Sequence, residues 1–266
     1  MRRDNLIFDV GMHRGEDTRL YLAKGFEVVA VEAIPDLAER AAEELREYVD
    51  SGQLVIENVA IAEVAGEVPF YVNRASQWGT IRADWAQRNE RLGSPSTASI
   101  TVTALPFRDL LARHGVPYYL KIDIEGADLL CLEALDSADP PTHVSIESEK
   151  GSWAALVHEF DLLEGLGYRQ FKVVAQHKVP RQQAPRPARE GRYVPWTFSF
   201  GASGLFGEET PGRWLSRREA LAKYRLIFAR YKLYGDDGIL SRRDPPRTAS
   251  QRVGGTAGWF DTHARR

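Results

Sequence analysis

The chain has 266 residues, 43 % of them hydrophobic, enough to bury one substantial core and barely enough for two domains. The formal net charge is −2, so no global field marks a nucleic-acid or membrane-surface protein. A single cysteine, Cys131, excludes a disulfide framework, and no apolar run approaches the roughly 20 residues of a membrane span.

The start, Met1-Arg2-Arg3, has no apolar stretch ahead of a cleavage site, which predicts a cytoplasmic protein. Leu6–Asp9 reads as a first strand and Glu16–Lys24 as a helix closed by Gly25. Starting so early, the chain has no room for substrate-covering helices before that strand. Selectivity is therefore expected from insertions or from the C-terminal third. Glu27–Glu32 is a second strand, and Pro35 opens a helix whose Leu37, Ala41, Leu45, Tyr48 and Val49 share one face. Leu54–Asn58 is a third strand, followed by Val59-Ala60-Ile61. The span 66–103 reads as an insertion: an added strand at Val68–Val72, a polar loop over 73–98, and a strand at Ile100–Thr103.

Phe107–His114 is a short helix, Tyr118–Ile124 a strand, Glu125–Leu135 a helix carrying a buried Cys131, and His143–Glu147 a strand. Ser152 caps a helix over Trp153–Leu166. Tyr168–Ala175 and Trp196–Phe200 are the last expected strands. Between them lies a basic loop, 178–192, holding Lys178, Arg181, Arg186, Arg189 and Arg192. The segment 201–266 reads as a helical, basic extension on a 1–200 domain. It has a helix at Ser216–Tyr234 and a tail with Arg242, Arg243, Arg247 and Arg252. Alternating strands and helices predict an α/β, doubly wound, mainly parallel sheet.

Two segments carry chemistry. In the first, Asp9-Val10-Gly11-Met12-His13-Arg14-Gly15 sits in a strand-to-helix turn, and Glu32 ends the next strand 23 positions later. An acid at that place in a doubly wound sheet grips a ribose hydroxyl. The glycines are spaced as D-x-G-x-x-x-G, unlike the G-x-G-x-x-G that brings backbone against a pyrophosphate. That spacing fits a cofactor without phosphate, S-adenosylmethionine (SAM), over a nicotinamide; the bland alternative is a plain βα turn with an acidic strand end.

In the second, Lys121-Ile122-Asp123-Ile124-Glu125-Gly126 closes the fourth core strand beside the switch in strand order. Asp123 falls in an apolar strand, and a buried carboxylate needs a cation, donors or a ligand. Glu125 is also explained as a helix-start acid. Glu147 and Glu149 end the following strand.

These segments, F-D-V-G-x-x-x-G, V-E-A-x-P, N-V-A and Y-L-K-I-D-I-E-G-A-D-x-L, resemble the FkbM family of SAM-dependent methyltransferases over about residues 5–175. The resemblance implies a class I methyltransferase with a Rossmann-like, seven-stranded sheet that methylates hydroxyls of sugars or natural products. It implies that Asp9, Gly11 and Gly15 face the methionine part of SAM, that Glu32 with Ala33 takes the ribose, and that Asn58, Val59 and Ala60 take the adenine. Asp123 would lie near the reacting methyl. His13, Arg14 and Ile34 depart from the family pattern.

An alcohol acceptor needs a general base. Asp123, Glu125, Glu149 and His13 are the candidates; His143 precedes its strand and belongs at the far edge. A divalent metal held by Asp123 with Glu147 or Glu149 is an alternative that no motif demands. The acceptor is expected to be a small molecule or glycosyl compound contacted by Trp78, Arg186 and Trp196. S-adenosylhomocysteine is the expected product, nucleic acid is no partner, and a homodimer is possible. A catalytically silent module of the same fold, binding a partner through its basic C-terminal region, is the competing class.

Overall fold

The computed structural model describes residues 2–74, 78–91, 93–148, 152–199, 201–234 and 259–266. Glu149, Ser76, Gln77 and the arginines of 242–252 lie outside them.

A seven-stranded sheet forms the centre. Its strands are β1 (Arg2–Val10), β2 (Glu27–Val31), β3 (Leu54–Glu57), β7 (Val116–Ile122), β8 (His143–Glu147), β9 (Gln170–Ala175) and β10 (Phe260–Arg265), in the order β3-β2-β1-β7-β8-β10-β9. All neighbouring pairs are parallel except those made by β10, which runs antiparallel between β8 and β9. The switch in strand order falls between β1 and β7, where open α/β sheets bind ligands. A second, three-stranded sheet joins β4 (Ala60–Ile61), β6 (Ser96–Leu105) and β5 (Gly66–Asn73) in that order.

One face of the main sheet is apolar. Phe8, Val10, Leu120, Ile122, Val144 and Ile146 pack there with residues of α5 (Phe107–His114), α6 (Asp128–Glu133), α7 (Trp153–Gly165) and α8 (Arg217–Tyr234). The other face is apolar only under α1 (Thr18–Ala23) and α2 (Pro35–Glu44), where Ile7, Val28, Ala30 and Tyr119 meet Tyr21, Ala41 and Phe206. Further along it, a polar row crosses the sheet: Asp9 is in register with Lys121, Lys121 with Ser145, Ser145 with His263, and His263 with Lys172. Residues in register on neighbouring strands share a face, so this row lies on one side. No long helix among the described residues covers it. The irregular segment 182–216 does, with Ser203 and Gly204 donating to Asp17 and Phe206 stacked 5.1 Å from Tyr119.

Several expected boundaries move. The helix from Pro35 breaks at Leu45, whose φ of −111° and ψ of 23° separate α2 from α3 (Arg46–Asp50). The polar stretch after the added strand contains a helix, α4 (Ala83–Arg91). The helix expected from Glu125 starts at Asp128. The expected strand at Trp196–Phe200 is absent over 196–199, and the last strand is β10 instead. Trp196 and Phe198 do bury one side of that alternating stretch, but against Leu20, Val179 and Leu205 and without a strand partner. Cys131 is fully buried in α6, and Ser152 Oγ accepts from Ala155 N at the start of α7, as expected.

Candidate active site

The crevice opens at the carboxyl ends of β1, β2 and β7. Gly11 and His13 enter it from the first turn, Glu32, Ala33 and Ile34 from the second, and Val59, Ala60 and Ile61 from the chain after β3. Asp123, Ile124 and Glu125 form the opposite wall. Phe70, Gly79 and Ile81 approach from the insertion.

The first turn is held by contacts that allow little change. Gly11 has φ +86°, and a Cβ there would stand 1.9 Å from the carbonyl oxygen of Asp123. Only glycine lets the two crevice walls approach this closely. Gly11 N and Met12 N both donate to Val31 O, at 3.0 Å each. Gly15 and Asp9 do not line the crevice. Asp9 is fully buried behind it, accepting from Thr18 Oγ1 at 2.6 Å and pairing with Lys121 Nζ at 3.0 Å. Its work in this structure is to hold the turn from below.

Glu32 is 7 % exposed, and its two oxygens accept from His13 N and Ile34 N, both at 2.8 Å. Burial raises its pKa, and those two N–H groups oppose the rise. A carboxylate has about four lone-pair sites, so two remain for a ligand's hydroxyls. Asn58 lies outside the lining. Its amide donates to Glu32 O at 2.8 Å and Ala33 O at 3.3 Å, which fixes the loop that presents Glu32. Val59 and Ala60 form the apolar wall behind that loop.

At the other end stands Lys121, whose importance the sequence motif did not expose. Its side chain is 5 % exposed, and Nζ donates to Gly11 O at 2.8 Å. It also lies 4.0 Å from a carboxylate oxygen of Asp17 and 4.0 Å from one of Asp123. Burial pulls this ammonium toward neutrality, but Asp9, Asp123 and Asp17 outweigh burial and hold it charged. Asp123 keeps 39 % of its side chain exposed, facing the crevice. Its pKa is raised to about 7: desolvation drives it up, Lys121 opposes, and Glu147, Asp128 and Asp17 add repulsion.

Asp261 is the residue that sequence reasoning missed. It pairs in register with Glu147, and Glu147 and Asp123 each follow the register pair Ile122–Ile146. Three carboxyls thus stand in one row on adjacent strands. Asp261 is 7 % exposed, and burial with Asp123 and Glu147 as neighbours holds its carboxyl well above the usual range. Nothing in the local sequence Phe260-Asp261-Thr262 signals this, because its partner strands end more than 80 residues earlier.

Glu125 has φ +51°, an unusual backbone for a non-glycine residue, and its carbonyl accepts from Thr80 Oγ1 at 2.7 Å. Asp128, and not Glu125, caps this turn, accepting from Ile124 N at 3.0 Å and Gly126 N at 2.9 Å. Trp85 of α4 lies over Gly126, so closely that a Cβ there would come within 2.6 Å of the indole. The insertion is therefore docked on the Asp123 wall. Trp78 packs edge-on to Trp259, 6.0 Å between centroids, beside the crevice and outside its lining. His13 Nδ1 pairs with Glu16 Oε1 at 3.1 Å. His143 is the first residue of β8, not a residue before it, and lies at the end of the strand away from the crevice, paired with Glu208 at 3.0 Å. Arg186 stacks 4.0 Å over Tyr193, and neither it nor Trp196 lines the crevice.

The donor and acceptor set fits SAM. A buried carboxylate suits ribose hydroxyls, Val59, Ala60, Ile61 and Phe70 make an apolar slot, and the acidic Asp123 end suits a sulfonium and an ammonium. The family description "Methyltransferase FkbM domain" matches residues 9–170, more than half of the chain. The protein belongs to the FkbM methyltransferase family and is a SAM-dependent methyltransferase of the class I, Rossmann-like fold. No curated protein matches it. Among solved structures it is similar to a SAM-dependent methyltransferase from Archaeoglobus fulgidus, at 10 % identity over 99 % of this chain and 86 % of that one, with a TM-score of 0.38. It is also similar to 1,6-didemethyltoxoflavin-N1-methyltransferase of Burkholderia thailandensis, solved with S-adenosylhomocysteine, at 14 % identity over 71 % and 68 %, with a TM-score of 0.32. A third is precorrin-6y C5,15-methyltransferase of Geobacter metallireducens, at 11 % identity over 66 % and 69 %, with a TM-score of 0.37.

Proposed function

We propose that this enzyme methylates a hydroxyl oxygen of a sugar, glycoside or other natural-product acceptor. The observation that carries the reading is Asp123: a carboxyl at the end of β7, open to the crevice, with a pKa raised to about 7. A general base works best when its pKa lies near the working pH. Bound SAM supplies an activated methyl on a sulfonium. The chain's residues then bind, align and move one proton. Glu32 takes the ribose hydroxyls, Ala33, Val59 and Ala60 flank the adenine, and Gly11 lets the turn close on the methionine end.

In this reading an Asp123 oxygen accepts the acceptor's hydroxyl proton as the oxygen attacks. Lys121, 4.0 Å away, keeps the carboxylate oriented and compensates its charge. Alignment supplies most of the acceleration, because the methyl donor is already activated. The docked insertion, with Gly79 and Ile81 at the crevice and Trp78 at its rim, shields the reaction from water. Glu125, His13 and Glu149 are secondary base candidates. The acceptor end is acidic, with Asp123, Glu147 and Asp261 in a row, which favours a neutral polyol or a cationic acceptor over an anionic one. Among the described residues no group of three or more His, Cys, Asp or Glu forms a metal-holding cluster, and the reaction is written without a metal. Among the same residues no helix is long and apolar enough to cross a membrane, and we place the enzyme in the cytoplasm.

The test combines two measurements. Metabolite profiling of a deletion strain identifies the compound that loses a 14-dalton (CH₂) increment. Incubation of that compound with the enzyme and ¹³C-methyl SAM then labels the product, and NMR distinguishes an O-methyl from an N- or C-methyl carbon. A label on nitrogen or carbon overturns the hydroxyl assignment.

A further inference from the structure

A second cavity, of about 250 Å³, lies on the polar face of the sheet under the segment 182–216. Lys172, Gln182, Arg189, Glu208, Glu209 and Thr210 line it. It is remote from the crevice. Lys172 is in the row that begins at Asp9 and Lys121, three strands from Lys121, or roughly 14 Å at the usual strand spacing.

The hydrogen-bond inventory of this cavity is lopsided. Each of its carboxylates already faces a cation. Glu209 Oε1 accepts from Lys24 Nζ at 3.2 Å and from Arg189 N and Glu190 N, while Oε2 lies 3.0 Å from the same ammonium without a hydrogen bond. Glu208 uses one oxygen, Oε1, for both Arg265 and His143. Its donors are not engaged. Lys172 is 4 % exposed, and its ammonium donates to Thr210 O alone and lies 4.2 Å from the Trp214 ring. No carboxylate oxygen of the described residues lies within ion-pair distance of it. An ammonium has three donors, so two find no acceptor among the described residues. Gln182 Oε1 accepts from Leu205 N at 2.7 Å, which fixes the amide, and its Nε2 is buried with no acceptor. The guanidinium of Arg189 has no carboxylate partner among the described residues either.

A buried ammonium with spare donors and an exposed guanidinium therefore share a cavity whose two carboxylates each already face a cation, with a fixed amide donor beside them. Leaving the buried ammonium and amide unmatched is costly, and one ligand class answers both while also meeting the exposed Arg189. We propose that this cavity binds a small oxyanion, of the carboxylate or phosphate type, on Lys172, Arg189 and Gln182. Burial and the nearby Arg265 and Arg189 bring the Lys172 ammonium down to about 8, Glu208 only partly opposing, and an anion would restore it. The basic loop 178–192 thus acquires a role independent of the methyl acceptor.

The test is titration of the purified enzyme with inorganic phosphate, acetate and glucose 6-phosphate, at constant ionic strength against chloride. Calorimetry and thermal melting are the readouts. We expect saturable binding of at least one oxyanion with a rise in melting temperature that chloride does not give. Arg189→Ser should weaken it about tenfold and Lys172→Met should abolish it, while SAM affinity stays unchanged. Acetate and phosphate separate a carboxylate site from a phosphate site, and glucose 6-phosphate shows whether a substituted phosphate enters. If Lys172→Met fails to fold, Arg189→Ser and Gln182→Leu carry the decision. Behaviour identical to chloride for all three anions, or unaltered binding in the variants, overturns the proposal.

Discussion

The two cavities sit on the same sheet and are built in different ways. The cofactor crevice is assembled mainly from short turns that each follow a strand: 11–13 after β1, 32–34 after β2 and 123–125 after β7, with Ala60, Ile61 and Phe70 of β4 and β5 beside them. Its charge is acidic around one cation, Lys121. The second cavity is assembled from β9 and from irregular chain over 182–212, and its spare hydrogen-bonding groups include the buried donors of Lys172 and Gln182. The first is a property of turns whose residues are neighbours in sequence. The second exists only when a long loop folds back over a polar sheet face. The lesson is that catalytic chemistry here is local, while the support of the polar face is a long-range construction.

The largest expected effect tests the local site. Asp123→Asn keeps the shape and removes the proposed base, so turnover should fall by about 10²- to 10⁴-fold with the fold intact. Full activity in that variant would move the base to Glu125, Glu149 or His13.

The next effect tests the long-range construction. Lys24 and Glu209 form an ion pair whose side chains are both wholly buried. Lys24→Ala leaves Glu209 uncompensated, and denaturant unfolding should show a loss of about 3–5 kcal/mol. The double variant Lys24→Met, Glu209→Gln should recover much of it. A negligible loss in the single variant would mean that the loop is not anchored there.

A smaller effect returns to the crevice. Glu32→Ala removes the proposed ribose acceptor and the partner of two backbone N–H groups, and SAM binding should weaken by about 1–3 kcal/mol in calorimetry. Unchanged affinity would remove the ribose assignment.

The smallest effect concerns pH. Asp17, Asp123 and Asp128 have pKa values raised to about 6, 7 and 6 in the folded state. A raised carboxyl binds its proton more tightly folded than unfolded. Its contribution is complete below the unfolded value near 4 and is lost as pH rises through the folded value. Stability should therefore decline between about pH 4 and pH 7 on account of these three groups. Asp123→Asn should melt slightly higher than wild type at pH 8, a difference that fades toward pH 4. Activity should rise through an apparent pKa near 7. A flat pH–rate profile from 5 to 9 would argue against Asp123 as the base.

The same contrast explains what was legible in the sequence. The turn at Asp9–Gly15, Glu32 at its strand end and the Lys121–Gly126 segment carry their signals in neighbouring residues: a glycine, a charge, an apolar run. The sheet followed from alternation of strand and helix patterns. The strand β10 did not, because Phe260-Asp261-Thr262-His263-Ala264-Arg265 is polar at most positions. Its Asp261, Thr262 and His263 are buried because both faces of the sheet are covered there, where a central strand is ordinarily apolar. The helix α4 was hidden for the opposite reason. It is short and strongly polar, and it is held by its place between Asn89, which donates to Trp78 O, and the Gly126 turn beneath Trp85. The alternating Trp196–Phe200 stretch imitated a strand, since packing against α1 needs the same period as a sheet face. Asp9 was legible as important, but its sequence position could not say that it faces Lys121 and Thr18 and not the ligand.

The antiparallel insertion of β10 sets an order for the birth of the molecule. A ribosome releases the chain from the N-terminus, so β8 and β9 are both complete while the strand that must lie between them is still unmade. From Ala175 to Phe260 is a gap of 85 positions, which takes roughly 4 to 17 seconds to synthesise at common elongation rates. During that interval two strand edges stand unpaired, side by side, open to any extended segment that passes. The nascent enzyme is thus open to mispairing until β10 arrives, and Asp261 joins the carboxyl row only after the strands bearing Asp123 and Glu147 are already made.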